Sequence, residues 1–497
     1  MRIQSAALIA SATLAAANPQ GLQKRAAIDD CLKAANVPVD AQGSQEWRND
    51  VNAFNQRLPY TPAAIAVPTT AAHVAAAVSC GAKVGVKVSA KSGGHSYASF
   101  GLGGENGHLV VQLDRMNAVS VDSSTQIATV QAGARLGHVA TLLYRNGRRA
   151  FSHGTCPGVG VAGHSLHGGF GFSSHTHGLA VDWIAGATVV LANGTIVQTS
   201  ETQNPDLFWG LRGSGSNFGI VTEFKFRTFE APSQVTAYQI NLPWNSAQQI
   251  VSGWGAIQDW LASGGQPKEM NMRVFGSGSQ TQLQGLYHGN SNNLRTAIQP
   301  LLSKIGASLS NAQQYDWMGA FTYYTYGSAN AVDVTHPYNM VETFYSKSLV
   351  TTALPNAALQ AIANYWVNTA KRNNRDWFII IDMYGGKNSA ITKPSNSSSY
   401  PFRDPNQLFL YEFYDRVRSG SYPSNGFSFL DGWIKTFTDN LQESQWGMYI
   451  NYADPQLSRA EAQKVYYRQN LPKLQQLKAD LDPTEVFYYP QAVSPAK

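Results

Sequence analysis

Ser92-Gly-Gly-His95-Ser-Tyr97 is the stretch on which the fold turns. It follows an apolar run at residues 84–89 that reads as a strand, so these six residues form the turn at the end of that strand. Gly93 and Gly94 let the backbone bend tightly, and successive backbone N–H groups in such a turn bind phosphate. His95 follows the two glycines and is carried close to whatever the turn holds. Two more glycine-rich stretches lie at residues 158–171 and 213–219. One such loop says little; three in the first half of the chain point to a large phosphate-bearing cofactor. No Gly-x-Gly-x-x-Gly follows the first strand with an acidic residue about 20 positions on, and no Gly-Lys-Ser/Thr occurs, which argues against Rossmann and Walker-type sites.

Outward from this turn, the first half alternates short helices and strands. Helices are expected at 71–80, 136–144 and 206–211, and strands at 109–113, 126–131 and 220–226. Asn193-Gly194 between apolar runs at 187–191 and 196–199 is a hairpin signal. After about Phe229 the glycine clusters thin out. Helices are expected at 248–262, 292–305 and 356–370, and strands at 272–275, 377–383 and 408–413, an α+β pattern with an antiparallel sheet. A last helix is expected over 458–481, opened by a capping box of Ser458 and Glu461.

The 497 residues, 43% apolar and 14% charged, suit a large globular core of two or more domains. A net charge of +6 without any Lys/Arg block gives no footprint for nucleic acid. Arg2, the apolar run 6–17 and the small residues Ala15-Ala16-Ala17 read as an export signal, too short to span a membrane, and the dibasic pair Lys24-Arg25 offers a processing site before Ala26. The expected location is therefore extracellular. Of three cysteines, Cys31 and Cys80 are paired in a disulfide that closes a loop of about 50 residues, worth roughly 4 kcal/mol in the chain-entropy model. Cys156 is left over for chemistry. Asn193 and Asn396 stand in glycosylation sequons. His153, His164, His167, His175 and His177 crowd one region, but no His-Glu-x-x-His accompanies them; they read as polar residues around a cofactor loop, and no metal is expected.

Ser92 to Tyr97, with Gly154-Thr-Cys156-Pro-Gly-Val-Gly-Val-Ala-Gly163, resembles the berberine-bridge-enzyme-like branch of the vanillyl-alcohol-oxidase flavoproteins. Asp206-Leu-Phe-Trp-Gly-Leu-Arg-Gly213, Asn217-Phe-Gly-Ile-Val221, Asn451-Tyr452-Ala-Asp454 and Asp482-Pro-Thr-Glu-Val-Phe487 match the same branch. The resemblance runs from about residue 26 to 495 and is nearest the fungal carbohydrate oxidases. It implies an FAD-binding domain of the PCMH type over 26–229, an α+β substrate domain over 230–450, and a segment 451–497 returning to the first domain, with 1–25 as signal and possible pro-segment. It implies FAD bonded to His95 and Cys156 and cradled by Gly93, Gly94, Ser96, Gly158, Gly160, Val161, Gly163, Gly219, Ile220, Val221 and Asn451.

The same resemblance implies Tyr452 as the base that removes a hydroxyl proton. A phenol pKa of about 10 is too high for that task unaided, and the family pattern offers Asp382 as its partner. On the strand 377–383 the period of two puts Phe378, Ile380 and Asp382 on one face. Tyr97 and Thr155 are expected at the reacting sugar, and Tyr326, Phe378 and Glu412 along a groove for further rings. Phe275 and Ile380 stand where polar residues are expected, and Phe378 where tryptophan is expected, so the sugar's C6 and C2 arms find few partners. The implied reaction is oxidation of the reducing-end C1 hydroxyl of an oligosaccharide, with O2 reduced to hydrogen peroxide, by a monomer with no nucleic-acid or membrane partner. A sugar without a C6 arm, as in xylooligosaccharides, suits such a pocket. Two other readings are an oxidase of an alkaloid or other hydroxylated metabolite, and a non-catalytic carbohydrate-binding protein.

Overall fold

The helix Ala71–Val84 shows how local chemistry sets the fold around the glycine turn. Thr70 caps it by accepting from the His73 N–H, and Gly85, at φ +70°, ends it. It therefore runs past the expected end, and the following strand starts at Val88 rather than at 84. The chain is described here by a computed structural model covering residues 19–325, 332–335, 340–392 and 397–497. The expected export run, Tyr326 and Asn396 lie outside those residues.

In chain order the first half carries β1 (Ala64–Ala66), β2 (Val88–Lys91), β3 (Leu109–Gln112), β4 (Val119–Val121), β5 (Ala128–Gln131), β6 (Arg149–Ala150), β7 (Ile184–Val190), β8 (Ile196–Ser200) and β9 (Ile220–Phe226). β10 (Phe229–Glu230) pairs back onto β6. β1, β3 and β2 form a parallel sheet, and β4-β5-β9-β7-β8 an antiparallel one. The hairpin expected at Asn193-Gly194 joins β7 to β8, and Asn193 is exposed. The Cys31–Cys80 disulfide, with Cα atoms 5.7 Å apart, ties the helix Pro19–Ala34 to Ala71–Val84. Lys24 and Arg25 lie within the first of these helices.

The second half is one eight-stranded sheet. Its strands are β11 (Val235–Asn241), β12 (Met270–Ser277), β13 (Thr281–Tyr287), β14 (Asn311–Tyr315), β15 (Thr343–Thr351), β16 (Asp376–Met383), β17 (Phe409–Val417) and β18 (Trp446–Gly447), in the order β14-β11-β13-β12-β16-β17-β15-β18. All its pairings are antiparallel. The helices Ala247–Ala262, Asn356–Tyr365 and Asn425–Thr438 cover one face, where Trp254, Trp366 and Trp433 pack among Tyr411, Phe413 and Phe437. The helix expected to reach 370 passes into a π turn over Trp366–Ala370.

The C-terminal segment returns to the first sheet: the Val88 N–H donates to the Val486 carbonyl, and Val88 bridges Phe487 in parallel. Its expected single helix is broken into Arg459–Tyr467 and Leu471–Leu481, with Arg468 at φ +51° between them. Pro472 is the cause. Inside a continuous helix it could not donate to the Arg468 carbonyl and its ring would clash there, whereas in a first turn it is tolerated. The capping box of Ser458 and Glu461 forms as expected. The fold is α+β, with the expected antiparallel sheet.

Candidate active site

Between the two halves lies a cavity of about 420 Å³. Its walls are the turn 92–97 after β2, the loop and short helix 154–167, the start of β9, the face of β12, β16 and β17 that carries Arg273, Ile380, Asp382 and Glu412, the turn 449–452 and residues 487–489.

The two glycine loops are locked together at their backbones. Buried Arg135 donates from Nη1 to the Gly93 carbonyl at 2.7 Å and to the Gly158 carbonyl at 2.5 Å. Ser92 Oγ donates to the Ala132 carbonyl at 2.6 Å, and the Val161 N–H to the Ala134 carbonyl at 2.9 Å. One guanidinium thus fixes the loop of His95 relative to the loop of Cys156. Both side chains line the cavity, with Thr155 beside the thiol. Cys156 is outside the disulfide. His95 stacks on Phe54 at 4.4 Å. Burial, and then the Arg135 charge, lower its pKa to about 3, so the ring is a neutral imidazole.

The expected cradle residues fall in two groups. Gly93, Gly94, Ser96, Gly160, Gly163, Gly219, Ile220, Val221 and Asn451 line the cavity. Val161 packs into the core, and Gly158 contributes its carbonyl to Arg135. A Cβ on Gly163 would meet no protein atom within 4 Å, so the wall there leaves room for a bulky group. A cavity walled in part by glycine backbone, with a neutral imidazole and a thiol on it, fits a flavin dinucleotide.

At the other end Tyr452 sits in the tight turn Ile450–Tyr452. That turn is held from both sides. Ser348 Oγ donates to the Tyr449 carbonyl at 3.1 Å, and the Tyr449 hydroxyl accepts from the Gly169 N–H at 2.9 Å and from Asn451 Nδ2 at 2.9 Å. Just beyond it, Asp454 is fixed by Lys347 Nζ at 2.8 Å and by the Tyr345 hydroxyl at 2.9 Å. The Tyr452 ring stacks on Tyr97 at 5.6 Å. Burial pushes its phenol well above the usual range, and the charges of Glu412 and Asp382 push it further.

Asp382 and Glu412 share this end, both buried. Burial raises Asp382 to about 8, Arg273 offsets part of the rise, and Glu412 adds to it. Burial raises Glu412 to about 7, against the hydrogen bond from the Tyr97 hydroxyl at 2.7 Å and the charge of Arg273. Strand register explains the grouping. Arg273 pairs Asp382, Phe275 pairs Ile380, and Ile380 pairs Glu412, so these residues share one face. Ile380 and Glu412 line the cavity, and Phe275 stacks on Phe378 at 5.8 Å and Phe378 on Tyr414 at 4.6 Å to extend the same face. The expectation that Phe378, Ile380 and Asp382 align is met. A phenol beside a carboxyl of high proton affinity can pass a proton through itself.

Sequence reasoning missed Arg135, Arg273, Phe54 and Lys347. The period of two that joined Phe378 to Asp382 also joins Arg273 to Phe275, so Arg273 had a signal; the others are long-range partners with none. The clustered histidines turn out to be parts of the loop scaffold. His164 Nε2 accepts from the Gly154 N–H at 2.9 Å, and His167 bridges the Gly163 carbonyl and Ser216. His177 stacks on Phe229 at 3.9 Å and lies 5.3 Å from His288.

Residues 62–200 match the FAD binding domain family, and residues 448–494 match the family described as berberine and berberine like. The chain is 65% identical to the xylooligosaccharide oxidase of Thermothelomyces thermophilus over 97% of each chain. The solved structure of the xylooligosaccharide oxidase from Myceliophthora thermophila C1 in complex with xylobiose superposes with a TM-score of 0.93, covering 95% of this chain and 100% of that one. The Acremonium strictum glucooligosaccharide oxidase, whose structure concerns a 6-S-cysteinyl, 8α-N1-histidyl FAD, is 46% identical, with a TM-score of 0.91 over 95% of this chain and 99% of that one.

Proposed function

We infer the function from one premise: the chain belongs to the FAD-linked oligosaccharide oxidases of the berberine-bridge-like flavoproteins. It is an FAD-dependent oxidoreductase that oxidises oligosaccharides, with xylooligosaccharides preferred. The observation that carries the residue assignments is the convergence of His95, Cys156, Tyr452 and Asp382 on one cavity.

His95 and Cys156 are the residues that bond the flavin. A neutral imidazole has a lone pair to form a carbon–nitrogen bond, and the thiol gives a second bond on the opposing loop. Bound there, the flavin supplies the acceptor for a hydride from sugar C1 and the route by which the electrons reach oxygen. The protein's part is proton handling and orientation. Tyr452 would take the C1 hydroxyl proton while passing its own to Asp382; with that proton and the C1 hydride both gone, the sugar is a lactone. Tyr97, fixed by Glu412, and Thr155 position the reacting ring, while Phe275, Phe378 and Ile380 give apolar faces for the sugar C–H surfaces. The enzyme works as a monomer outside the cell, where O2 is plentiful; the disulfide suits an oxidising compartment. Among the described residues no helix is long and apolar enough to cross a membrane.

The test is a peroxide-coupled screen of xylo-, cello-, malto- and chito-oligosaccharides on the purified yellow protein. Peroxide formation with xylobiose is expected. Silence on every sugar, with turnover of a non-sugar alcohol, would assign the site to another substrate class, and a colourless protein would point to binding alone.

A further inference from the structure

We propose that Glu412 and Arg273 are opposed positioning residues that set, with opposite sign, how readily Asp382 takes the proton of Tyr452; the idea rests on the assignment of Tyr452 and Asp382 made above. The sheet register places them for this. Arg273 on β12 stands directly opposite Asp382 on β16. Glu412 on β17 stands opposite Ile380, one step along the same face from Asp382. Diagonal neighbours of that kind sit about 7–8 Å apart. All three side chains line the cavity, and Asp382 and Glu412 are buried, so a charge on either is weakly screened.

Each of the two is held in place by a neighbour of its own. Arg273 donates from Nε to Gln284 Oε1 at 3.1 Å, and its guanidinium lies 4.6 Å over the Phe172 ring. Glu412 accepts from the Tyr97 hydroxyl. The titratable groups facing Asp382 are therefore Arg273 from β12, Glu412 from β17, and Tyr449 and Tyr452 from the turn, with Glu342 acting behind Glu412. After burial, Arg273 draws Asp382 towards its charged form and Glu412 drives it towards the protonated one. A more basic Asp382 accepts the phenol proton more readily, but is already protonated over a wider pH range. The pair thus fixes the lower pH limit of the reaction. The proton path is sugar O1–H to Tyr452 Oη, and Tyr452 Oη–H to the Asp382 carboxylate, with the total charge of the site unchanged.

The experiment is the pH dependence of kcat/KM for xylobiose in the flavin-loaded enzyme, together with infrared titration of the protonated-carboxyl band that Asp382→Asn deletes. In Glu412→Gln the rising limb and the infrared midpoint should both move to lower pH by about one pH unit; in Arg273→Gln both should move up by a similar amount. Arg273→Lys should restore the wild-type position. Tyr97→Phe gives a second route if Glu412→Gln does not fold: without the phenol, Glu412 stays protonated to higher pH, and the limb again moves down. Shifts of the same sign in the Glu412 and Arg273 variants, or none, overturn the proposal when Tyr452→Phe and Asp382→Asn are as impaired as expected. Normal turnover by Tyr452→Phe would instead remove the underlying base assignment.

Discussion

Gly93 and Gly160 meet backbone to backbone: a Cβ on either would lie 2.1 Å from the other's nitrogen. No rotamer change relieves a clash with backbone, so the two loops can close over the cavity only if both positions remain glycine. Gly160→Ala should cost about 1–3 kcal/mol or more in stability, lower Tm, and separate the loops of His95 and Cys156. A variant with the parent Tm and full flavin colour would refute this.

The flavin should remain on the protein after acid precipitation, because two separate loops each offer one bonding group. His95→Ala and Cys156→Ala should each keep the colour through the surviving bond, and the double variant should release its flavin to the supernatant. Complete release from the parent protein would end the covalent assignment.

Tyr452→Phe should fold and hold flavin yet be reduced by xylobiose roughly 10²–10⁴-fold more slowly in the absence of oxygen. Asp382→Asn should show part of that loss, since it keeps the shape and removes the acceptor. In the parent enzyme kcat/KM should rise with pH through about 8, where Asp382 loses its proton. Stopped-flow reduction rates and a flat pH profile in Asp382→Asn are the checks.

Acid should destabilise the fold. His153, His175 and His177 are lowered to about 4, and His164 and His288 to about 3, all chiefly by burial. A histidine whose folded value lies below its unfolded value of about 6.5 contributes stability that is full above 6.5 and lost as pH falls towards the folded value. Asp50, Asp382 and Glu412, raised to about 7, 8 and 7, act in the opposite sense over the same window. Histidines lowered by burial, which also include His95, His108 and His167, outnumber the raised carboxyls, which also include Asp29 and Asp415, so unfolding takes up protons in this window and stability falls as pH falls. Denaturation midpoints that do not fall between pH 6.5 and 4.5 would contradict the balance.

Xylobiose should exceed cellobiose in kcat/KM by about ten- to hundredfold. Phe275 and Ile380 face each other across β12 and β16 and offer no hydrogen bond to a hydroxymethyl arm, and a polar arm buried without a partner costs about 1–3 kcal/mol. The ratio of the two kcat/KM values decides it, and a ratio below one refutes the pocket argument. The sugar alcohol of either disaccharide should be inert, having no C1 lactol.

What could be read from the chain divides by range. Glycine spacing, the odd cysteine and the alternation through Ile380 and Asp382 are local patterns, and each leads to a wall of the one cavity. The break at Arg468 is also local, since its cause, Pro472, lies four residues on in the chain. Strand pairing is different. That Arg273 faces Asp382, or that Tyr97 bonds Glu412 from 315 positions away, depends on register between distant segments, which no periodicity in a single strand contains. The Arg135 bonds to two loops are of the same kind.

The alternation along β12, β16 and β17 has a consequence for how such an enzyme changes over generations. Val274, Ile379, Ile381 and Phe413 point to the helices and hold the sheet, while Phe275, Phe378, Ile380 and Glu412 point to the substrate side. Sugar choice and foldability are written on opposite sides of the same ribbon. A change at Phe275, Phe378 or Ile380 can therefore alter the cavity side while the residues that hold the sheet to its helices stay as they are.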